Sequence, residues 1–194
     1  MVLANCNSIM KKSKSYGIAV FWLPMEDGMS VRHKADLPLV LLVEQYGRTW
    51  SIPKGHVEKE DACGLNTAIR ETEEEVGLQR PADYSVIYDP AASIAALPHK
   101  RAISASFERE SKGGPKEMKQ ITMYFALSTS SPERMANQSA ITDPNITDSK
   151  WVSLKQAKKL LHKPDYKALV KLYEKGSWAL IQNLMREGVD SIYY

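Results

Sequence analysis

Apolar residues occur in short runs separated by polar segments, and their spacing predicts several strands around one central helix. Segments rich in aromatic and β-branched residues are typical of strands. We predict strands at residues 16–23, 37–44, 49–52, 84–88, 105–110, 120–128 and 150–153. A Gly-Gly-Pro sequence at 113–115 lies between two of these segments and should join them in a hairpin.

Helical patterns occupy the middle and the end of the chain. A central helix is predicted at 62–76, because its main part has good helix formers and no Gly or Pro. Gly77 should cap its C-terminus. Two amphipathic helices are predicted at 154–161 and 166–174, separated by Pro164, and 178–187 extends or follows the second. Strands, a helix, more strands and C-terminal helices indicate a mixed α/β fold.

Length and composition indicate one globular domain. The chain has 194 residues, 43% of them hydrophobic and 25% charged, which is typical of such a domain. We expect a mobile tail at 1–15, a domain at 16–187 and a second tail at 188–194. The longest apolar run, at 37–43, is too short to cross a membrane. Residues 1–15 have no signal-peptide pattern, so we expect a cytoplasmic protein, with a mature secreted protein as the alternative.

The central helix carries an unusual density of acids. Glu71, Glu73, Glu74 and Glu75 fall within five consecutive residues. Positions i, i+3 and i+4 share a helix face, so Glu71, Glu74 and Glu75 should converge while Glu73 points elsewhere. An acidic face exposed to solvent is one interpretation. A site for a hard cation is the other, because an all-oxygen ligand set favours Mg²⁺ or Mn²⁺.

The residues around these acids resemble a known motif. The Nudix hydrolases carry the pattern G-x5-E-x7-R-E-U-x-E-E-x-G-U, in which U is usually a bulky aliphatic residue. Gly55 matches its first Gly, and residues 70–78, RETEEEVGL, match its second half, with Thr72 at the first U position. This resemblance implies the Nudix-type α/β/α sandwich with a mixed β-sheet. It also implies hydrolysis of a nucleoside diphosphate derivative or a related phosphoanhydride.

The chain departs from this motif at one point. Asp61 stands where the family has Glu, and nine positions rather than eight separate it from Arg70. One extra residue therefore lies around 62–64, and Glu60 and Asp61 compete for the acidic role. In the family this acid mainly braces the motif arginine, so the departure affects that contact more than the chemistry.

The resemblance also implies roles for the motif residues. Glu71 and Glu75 should bind Mg²⁺, and Glu74 should be a further ligand or the base that deprotonates water. The carbonyl of Gly55 commonly completes the metal shell in the family. Arg70 should brace the motif electrostatically rather than contact substrate.

Two further stretches point to polyphosphate substrates. Residues 53–58, PKGHVE, are similar to the corresponding sequence of asymmetric diadenosine tetraphosphate hydrolases. This resemblance implies that Lys54 and His56 lie beside the polyphosphate. The sequence HKP after a helix is similar to that of diphosphoinositol polyphosphate phosphohydrolases, which implies that Lys163 contacts substrate. Eight lysines and only two acids lie within 150–175, so a phosphate-rich small molecule is the expected partner. A basic, solvated helix face is the simpler alternative.

Three hypotheses about function therefore remain. The first is a hydrolase of dinucleoside polyphosphates or diphosphoinositol polyphosphates. The second is a hydrolase of RNA 5′ ends, which would favour a basic groove lined with aromatic rings. The third is a non-catalytic Nudix module that binds a nucleotide or a partner, against which the retained Glu71, Glu74 and Glu75 argue.

Overall fold

The strands and helices follow the predicted mixed order. The computed structural model describes residues 11–23, 38–87, 102–110, 116–129, 131–132 and 141–187. Its strands are β1 (Lys11–Trp22), β2 (Leu39–Gln45), β3 (Thr49–Ser51), β4 (Lys54–His56), β5 (Tyr84–Val86), β6 (Ile103–Glu110), β7 (Lys116–Ser128) and β8 (Ile146–Ser153). Its helices are α1 (Gly64–Val76), α2 (Leu154–Leu160) and α3 (Lys163–Glu187). The predicted α/β class is confirmed.

The strands form one mixed sheet around the long neighbours β1 and β7. These two run parallel, with Lys11 opposite Glu117 at one end and Phe21 opposite Leu127 at the other. The main order is β3-β2-β1-β7-β5, and β4, β6 and β8 pair with β1, β7 and β2 respectively. The other pairings are antiparallel, including the predicted hairpin of β6 and β7. Such a sheet needs helices on its faces to bury both sides.

Both faces of the sheet are buried, and β1 shows how. Successive side chains of a strand point to opposite faces. Ile18 and Val20 belong to a core cluster that includes Leu65 and Ala68 of α1. Ala19 and Phe21 belong to a second cluster, which contains residues of α2 and α3. The sheet is therefore sandwiched between α1 on one side and α2 and α3 on the other, as the α/β/α prediction requires.

The ends of α1 have clear local causes. Gly77 adopts φ 70° and ψ 10°, and its backbone N–H donates to the carbonyl of Glu73 at 2.8 Å, as predicted for a C-terminal glycine. At the other end the helix begins at Gly64, two residues later than predicted. A Cβ on Gly64 would collide with the ring of Tyr16, so this close approach of helix to sheet requires glycine.

Several strands differ from the prediction, and β1, β4 and β8 show why. β1 begins at Lys11, so residues 11–15 belong to the sheet and the predicted tail is wrong there. β4 lies outside the predicted strands, and it forms because residues 15–17 of β1 pair with it. β8 begins at Ile146, four residues before the predicted strand at 150–153. Pairing with a distant strand thus extends β1 and β8 and creates β4, in segments whose own pattern is too polar to predict a strand.

The second C-terminal helix also begins earlier than predicted. α3 starts at Lys163, so Pro164 lies in its first turn, where proline is well tolerated, and the helix continues to Glu187. No helix in the described part of the chain is both long and apolar enough to span a bilayer. The predicted tails at 1–10 and 188–194 lie outside the described residues.

Candidate active site

Strand β4 places Gly55 against the acidic face of α1. A Cβ on Gly55 would overlap the carboxylate of Glu71. Glycine is therefore needed here so that the backbone of β4 can approach this side chain closely. The pairing of Gly55 with Tyr16 of β1 holds the strand in place.

Arg70 connects the acids of the loop and the helix. Its Nη2 donates to Asp61 Oδ2 at 3.0 Å, and its Nε donates to Asp61 Oδ1 at 3.3 Å. Nη2 also donates to the carbonyl of His56 at 3.0 Å. Of the two competing acids, Asp61 thus makes this contact despite the extra residue in the loop. The hydrogen bonds from Arg70 lower the pKa of Asp61 to about 2.

The same guanidinium also neutralises acids on the helix. Nη1 of Arg70 lies 3.0 Å from Glu71 Oε1 and 2.9 Å from Glu74 Oε2, and a longer contact of 3.5 Å reaches Glu58. Burial nevertheless raises the pKa of Glu71, with Arg70 opposing the shift. One cation therefore compensates several carboxylates, and the motif arginine contacts protein groups throughout.

Glu75 is the most deeply buried of the acids. The residue is 1% exposed, yet both carboxylate oxygens are satisfied. Oε1 accepts from Gln45 Nε2 at 2.7 Å, and Oε2 accepts from the backbone N–H of Lys54 at 2.9 Å. Burial raises its pKa to about 7 in spite of these donors and of the Lys54 charge. A carboxylate held this firmly, without a direct ion pair in the described part of the chain, is suited to binding a cation.

Glu74 and Glu73 occupy different surroundings. The Glu74 side chain is 42% exposed and pairs with Arg70. Its carbonyl accepts from the backbone N–H groups of Thr142 and Asp143, which ties the 141–143 segment to the helix. Glu73 accepts from Gln79 Nε2 at 3.2 Å and so points away from the other acids, as the helical spacing predicts.

Glu71 and Glu75 open into a cavity of about 380 Å³, which we call the acid cavity. Its walls also include cationic side chains from two different strands, Lys54 of β4 and Lys119 of β7. The remaining lining residues are Ser15, Gln45, Tyr46, Gly55, His56, Glu58 and Asp143. Burial, followed by the charges of Lys119 and Lys54, lowers the pKa of His56. The cavity thus combines oxygen ligands with positive charge.

A second cavity, of about 470 Å³, adjoins the first and shares Gln45, Tyr46, Lys54 and Lys119 with it. We call it the aromatic cavity because Trp50, Phe107 and His162 lie in its walls. Its other lining residues are Thr49, Ser51, Glu108, Ile121 and Asp165. These residues come from β2, β3, β4, β6, β7 and the start of α3, so only the folded sheet brings them together.

The sequence-predicted site residues divide between these surroundings. The acid cavity is lined by Gly55, Glu71 and Glu75, together with Lys54 and His56. Glu74 does not line this cavity but forms an ion pair with Arg70. Lys163 lines neither cavity.

Sequence reasoning missed Lys119 and Gln45, which line both cavities, and Asp165, two positions after Lys163. No local sequence pattern indicates that Asp165 is buried. Lys119 does lie in a basic stretch of the sequence, which is a weak signal for a phosphate contact.

The acids fit a hard divalent cation by their chemistry. Carboxylate and carbonyl oxygens are the ligands that such ions take, and Gly55 leaves room for Glu71 at its backbone. Among the described residues, however, no three His, Cys, Asp or Glu side chains converge on one point as a preformed metal cluster. The guanidinium of Arg70 pairs with both Glu71 and Glu74. A metal ion that binds these two acids would therefore compete with Arg70 for their carboxylates.

Comparisons with known proteins agree with this architecture. A profile described as the NUDIX domain matches residues 29–173, which is most of the chain. No curated protein matches the chain.

Among solved structures, an Ap4A hydrolase from C. elegans in a binary complex is 21% identical, with a TM-score of 0.52, covering 88% of this chain and 98% of that one. The NUDIX domain of NrtR from Shewanella oneidensis, complexed with ADP ribose, is 14% identical, with a TM-score of 0.54 and coverage of 88% and 92%. At these identities the likeness shows the fold.

Proposed function

The chain belongs to the Nudix hydrolase family, and from that premise we propose a Mg²⁺-dependent phosphohydrolase that acts on polyphosphates. Its substrates would be dinucleoside polyphosphates of the diadenosine tetraphosphate type, diphosphoinositol polyphosphates, or both. The observation that carries the proposal is the acid cavity, where Glu71 and Glu75 face Lys54 and Lys119. Cleaving a phosphoanhydride requires such a combination, because the phosphorus is surrounded by negative oxygens.

Glu71 and Glu75 would hold Mg²⁺ or Mn²⁺, with the carbonyl of Gly55 as a further ligand. The ion, when bound, would polarise a phosphoryl oxygen and lower the pKa of a water ligand. Glu75 would keep its orientation through Gln45 and the backbone N–H of Lys54, which bind its two oxygens. A ligand fixed in this way loses little freedom when the metal binds.

Glu74 would act as a further ligand or as the base that takes a proton from water. The Glu74 carboxylate forms an ion pair with Arg70 at 2.9 Å. In either role it would have to break this ion pair, or keep it through one oxygen while the other oxygen acts. Arg70 would stay on Asp61 and the carbonyl of His56, so that it braces the motif without touching substrate.

The positive groups of the acid cavity would hold the phosphate chain. Lys54 is 9% exposed and lines both cavities, and its Nζ donates to Oγ of Ser51, which lines the aromatic cavity, at 3.1 Å. Lys119 lines both cavities as well. His56, whose pKa is lowered, would be a neutral hydrogen-bonding group at neutral pH rather than a cation. Lys163 remains a predicted contact for longer polyphosphates.

The RNA 5′-end hypothesis gains one observation. Aromatic rings beside basic residues suit a stacked terminal nucleotide, and the aromatic cavity supplies both. Triphosphorylated RNA therefore belongs in the test, although the cavity is no extended groove.

A substrate panel would test the proposal. Diadenosine tetraphosphate, a diphosphoinositol polyphosphate and triphosphorylated RNA are incubated with the protein and Mg²⁺, and products are separated by ion-exchange chromatography. We expect cleavage of at least one of the first two, and its loss in excess chelator. Glu75→Gln should lose it as well, whereas the matched variant Glu73→Gln should retain it. Full activity in chelator would contradict the metal role, and no cleavage of any substrate would contradict the function.

A further inference from the structure

The outer surface of α2 and α3 carries positive charge that the proposed chemistry does not use. Six lysines on these helices are exposed and line neither the acid cavity nor the aromatic cavity. We call them the lysine layer: Lys155, Lys158 and Lys159 of α2, and Lys167, Lys171 and Lys175 of α3. Lys163, which is expected to contact substrate, starts the row on α3.

Helix geometry directs these lysines away from the sheet. On α3 a lysine stands at every fourth position from 163 to 175, so the row follows the helix for about 18 Å. Ala168, Leu169 and Leu172 occupy the buried side of the same helix, against the sheet. Ala157 is the buried residue of α2. The lysine layer therefore faces solvent on one side of the sandwich, opposite to α1.

Little within the protein compensates these charges. Like charges four residues apart repel each other and destabilise a helix. In the part of the chain that the structure describes, none of the six lysines forms an ion pair. The two acids of 154–175 are Glu174, which is exposed, and Asp165, which is buried. A negatively charged partner from outside the protein would relieve this repulsion.

The charge is also distributed unevenly over the chain. Residues 154–175 contain seven of the 26 Lys and Arg and two of the 23 Asp and Glu, which leaves 19 basic and 21 acidic residues elsewhere. This segment therefore has a net charge of +5, and the rest of the chain has −2. Such an asymmetry orients a protein, with its positive face toward a negative surface and its other faces away from it.

The composition of the lysine layer indicates which kind of partner it fits. Proteins that bind single-stranded nucleic acid combine basic residues with exposed aromatic rings on which bases stack. The large exposed apolar side chains of the described residues are Tyr46 and Val57, and neither belongs to α2 or α3. Residues 154–175 also contain no Arg, the residue that pairs with phosphate through two hydrogen bonds. A cluster of about four to eight basic residues on an amphipathic helix is instead typical of attachment to anionic lipids.

We propose that the lysine layer attaches the protein to the surface of an anionic lipid bilayer. The attachment is electrostatic, because Ala168, Leu169 and Leu172 are buried in the core and cannot insert among the acyl chains. It requires no membrane-spanning segment. Glu71 and Glu75 belong to α1, on the other face of the sheet, so attachment through α2 and α3 is compatible with an accessible acid cavity.

Co-sedimentation of the full chain with lipid vesicles tests the proposal. Vesicles that contain phosphatidylserine should bind the protein at about 0.1 M ionic strength, and vesicles of phosphatidylcholine alone should not. Excess chelator is present, so that no divalent ion can bridge the acids of the protein to the lipid phosphates. Raising the ionic strength to about 1 M shortens the screening length to about 3 Å and should release the protein.

Two double variants with matched charge locate the contact. Lys167→Gln with Lys171→Gln removes two charges from the layer and should weaken vesicle binding by about 25-fold, since each lysine at a bilayer contributes about 5-fold. Lys12→Gln with Lys14→Gln removes the same charge from β1, at exposed positions that share the face of Ile18 on the α1 side. This control should weaken binding by less than about 3-fold. Circular dichroism checks that both variants fold.

Equal binding to neutral and anionic vesicles, or equal losses in the two double variants, would overturn the proposal. Absence of binding to either vesicle would overturn it as well and would assign the lysine layer to a solvated helix face. So would a preference for single-stranded RNA over the anionic vesicles that is lost in the variant of Lys167 and Lys171, which would show a nucleic-acid surface instead. None of these measurements uses a substrate, so the proposed attachment and the proposed hydrolase stand or fail independently.

Discussion

The acid cavity and the aromatic cavity lie side by side, but they are built in opposite ways. Gly55, Glu58, Glu71 and Glu75 of the first come from one continuous segment, in which the helical repeat sets the spacing of the last two. Asp143 is the acid of this lining that comes from elsewhere in the chain. The aromatic rings of the second come from the turn before β3, from β3, from β6 and from the residue before α3, so distant parts of the chain supply them. Local geometry thus encodes the proposed chemistry, whereas the topology of the sheet encodes the proposed choice of substrate.

A buried acid in each cavity shows the same contrast. Glu75 is 1% exposed, and each of its oxygens accepts a hydrogen bond from the protein. Asp165 is 8% exposed, and its Oδ1 accepts none in the described residues. Burial raises the pKa of both. The protein holds the first carboxyl in place through both of its oxygens, whereas Oδ1 of the second has no donor among the described residues.

Substitutions in and beside the acid cavity should cause the largest loss of activity. Glu75→Gln removes a charge at nearly constant shape and should lower kcat by about 100-fold or more, since loss of a metal ligand or base removes stabilisation of the transition state. Glu74→Gln should cause a loss of similar size if it is the base or a ligand. Steady-state kinetics with diadenosine tetraphosphate measure both.

Glu73→Gln is the matched control, because this acid lies on the same helix but is bound to Gln79. It should leave kcat within about 2-fold of the wild-type value. A loss as large as that of Glu75→Gln would show that charge on the helix, rather than one face of it, determines activity.

A smaller loss should follow from Gly55→Ala. The added Cβ would overlap the Glu71 carboxylate, which must then move. Displacement of a ligand by about 1 Å can cost up to about 100-fold, so we expect at least about a 10-fold decrease in kcat and weaker Mg²⁺ binding. Titration of Mn²⁺ followed by electron paramagnetic resonance measures the affinity. Unchanged metal binding would remove Gly55 and Glu71 from the metal site.

Substitutions in the wall between the two cavities should weaken substrate binding more than they slow turnover. Lys119→Ala removes a cation that lines both cavities and should raise KM by about 10-fold for long and short polyphosphates alike. The sequence predicts a different behaviour for Lys163→Ala, which should raise KM more for substrates with many phosphates than for a dinucleoside triphosphate. Measuring KM for both lengths in both variants compares the two lysines. No effect of Lys163→Ala on either substrate would assign Lys163 to the solvated helix face.

The smallest effect should be on stability and should depend on pH. Arg70 holds the pKa of Asp61 at about 2, below its ordinary 3.8, so this carboxylate stabilises the folded state above the higher value. That contribution is lost as the pH falls through about 2. Asp61→Asn should therefore lower the free energy of unfolding by about 1 kcal/mol at neutral pH, and the difference should vanish in acid.

Glu60→Gln controls for charge in the same loop and should have little effect at any pH. Urea titrations across the pH range measure all three proteins. A destabilisation by Asp61→Asn that is the same at every pH would contradict the role of the Arg70 pair.

Much of the acid cavity was predictable because its determinants are local. The helical repeat correctly separated Glu73 from the other acids, and the glycine at 77 correctly marked the end of α1. The strand at 54–56 was missed, since it forms only where β1 pairs with it. Lys119 and Asp165 were missed for the same reason, because no local pattern shows which distant elements will meet.

The boundaries of long elements illustrate the same limit. Residues 11–15 are polar and were assigned to a tail, yet they pair in parallel with residues 117–121 of β7. Pro164 was expected to separate two helices, and it does so from within the first turn of the second. Strand pairing and the tolerance of proline in a first turn explain these differences.

The most direct test of the division between the two cavities is the effect of one variant from each on kcat and KM for diadenosine tetraphosphate. We expect Glu75→Gln to lower kcat by about 100-fold with a small change in KM. We expect Trp50→Ala, which removes a ring from the aromatic cavity, to raise KM by about 10-fold with kcat nearly unchanged. A large loss of kcat in Trp50→Ala with unchanged KM, or an effect of Glu75→Gln on KM alone, would contradict this division.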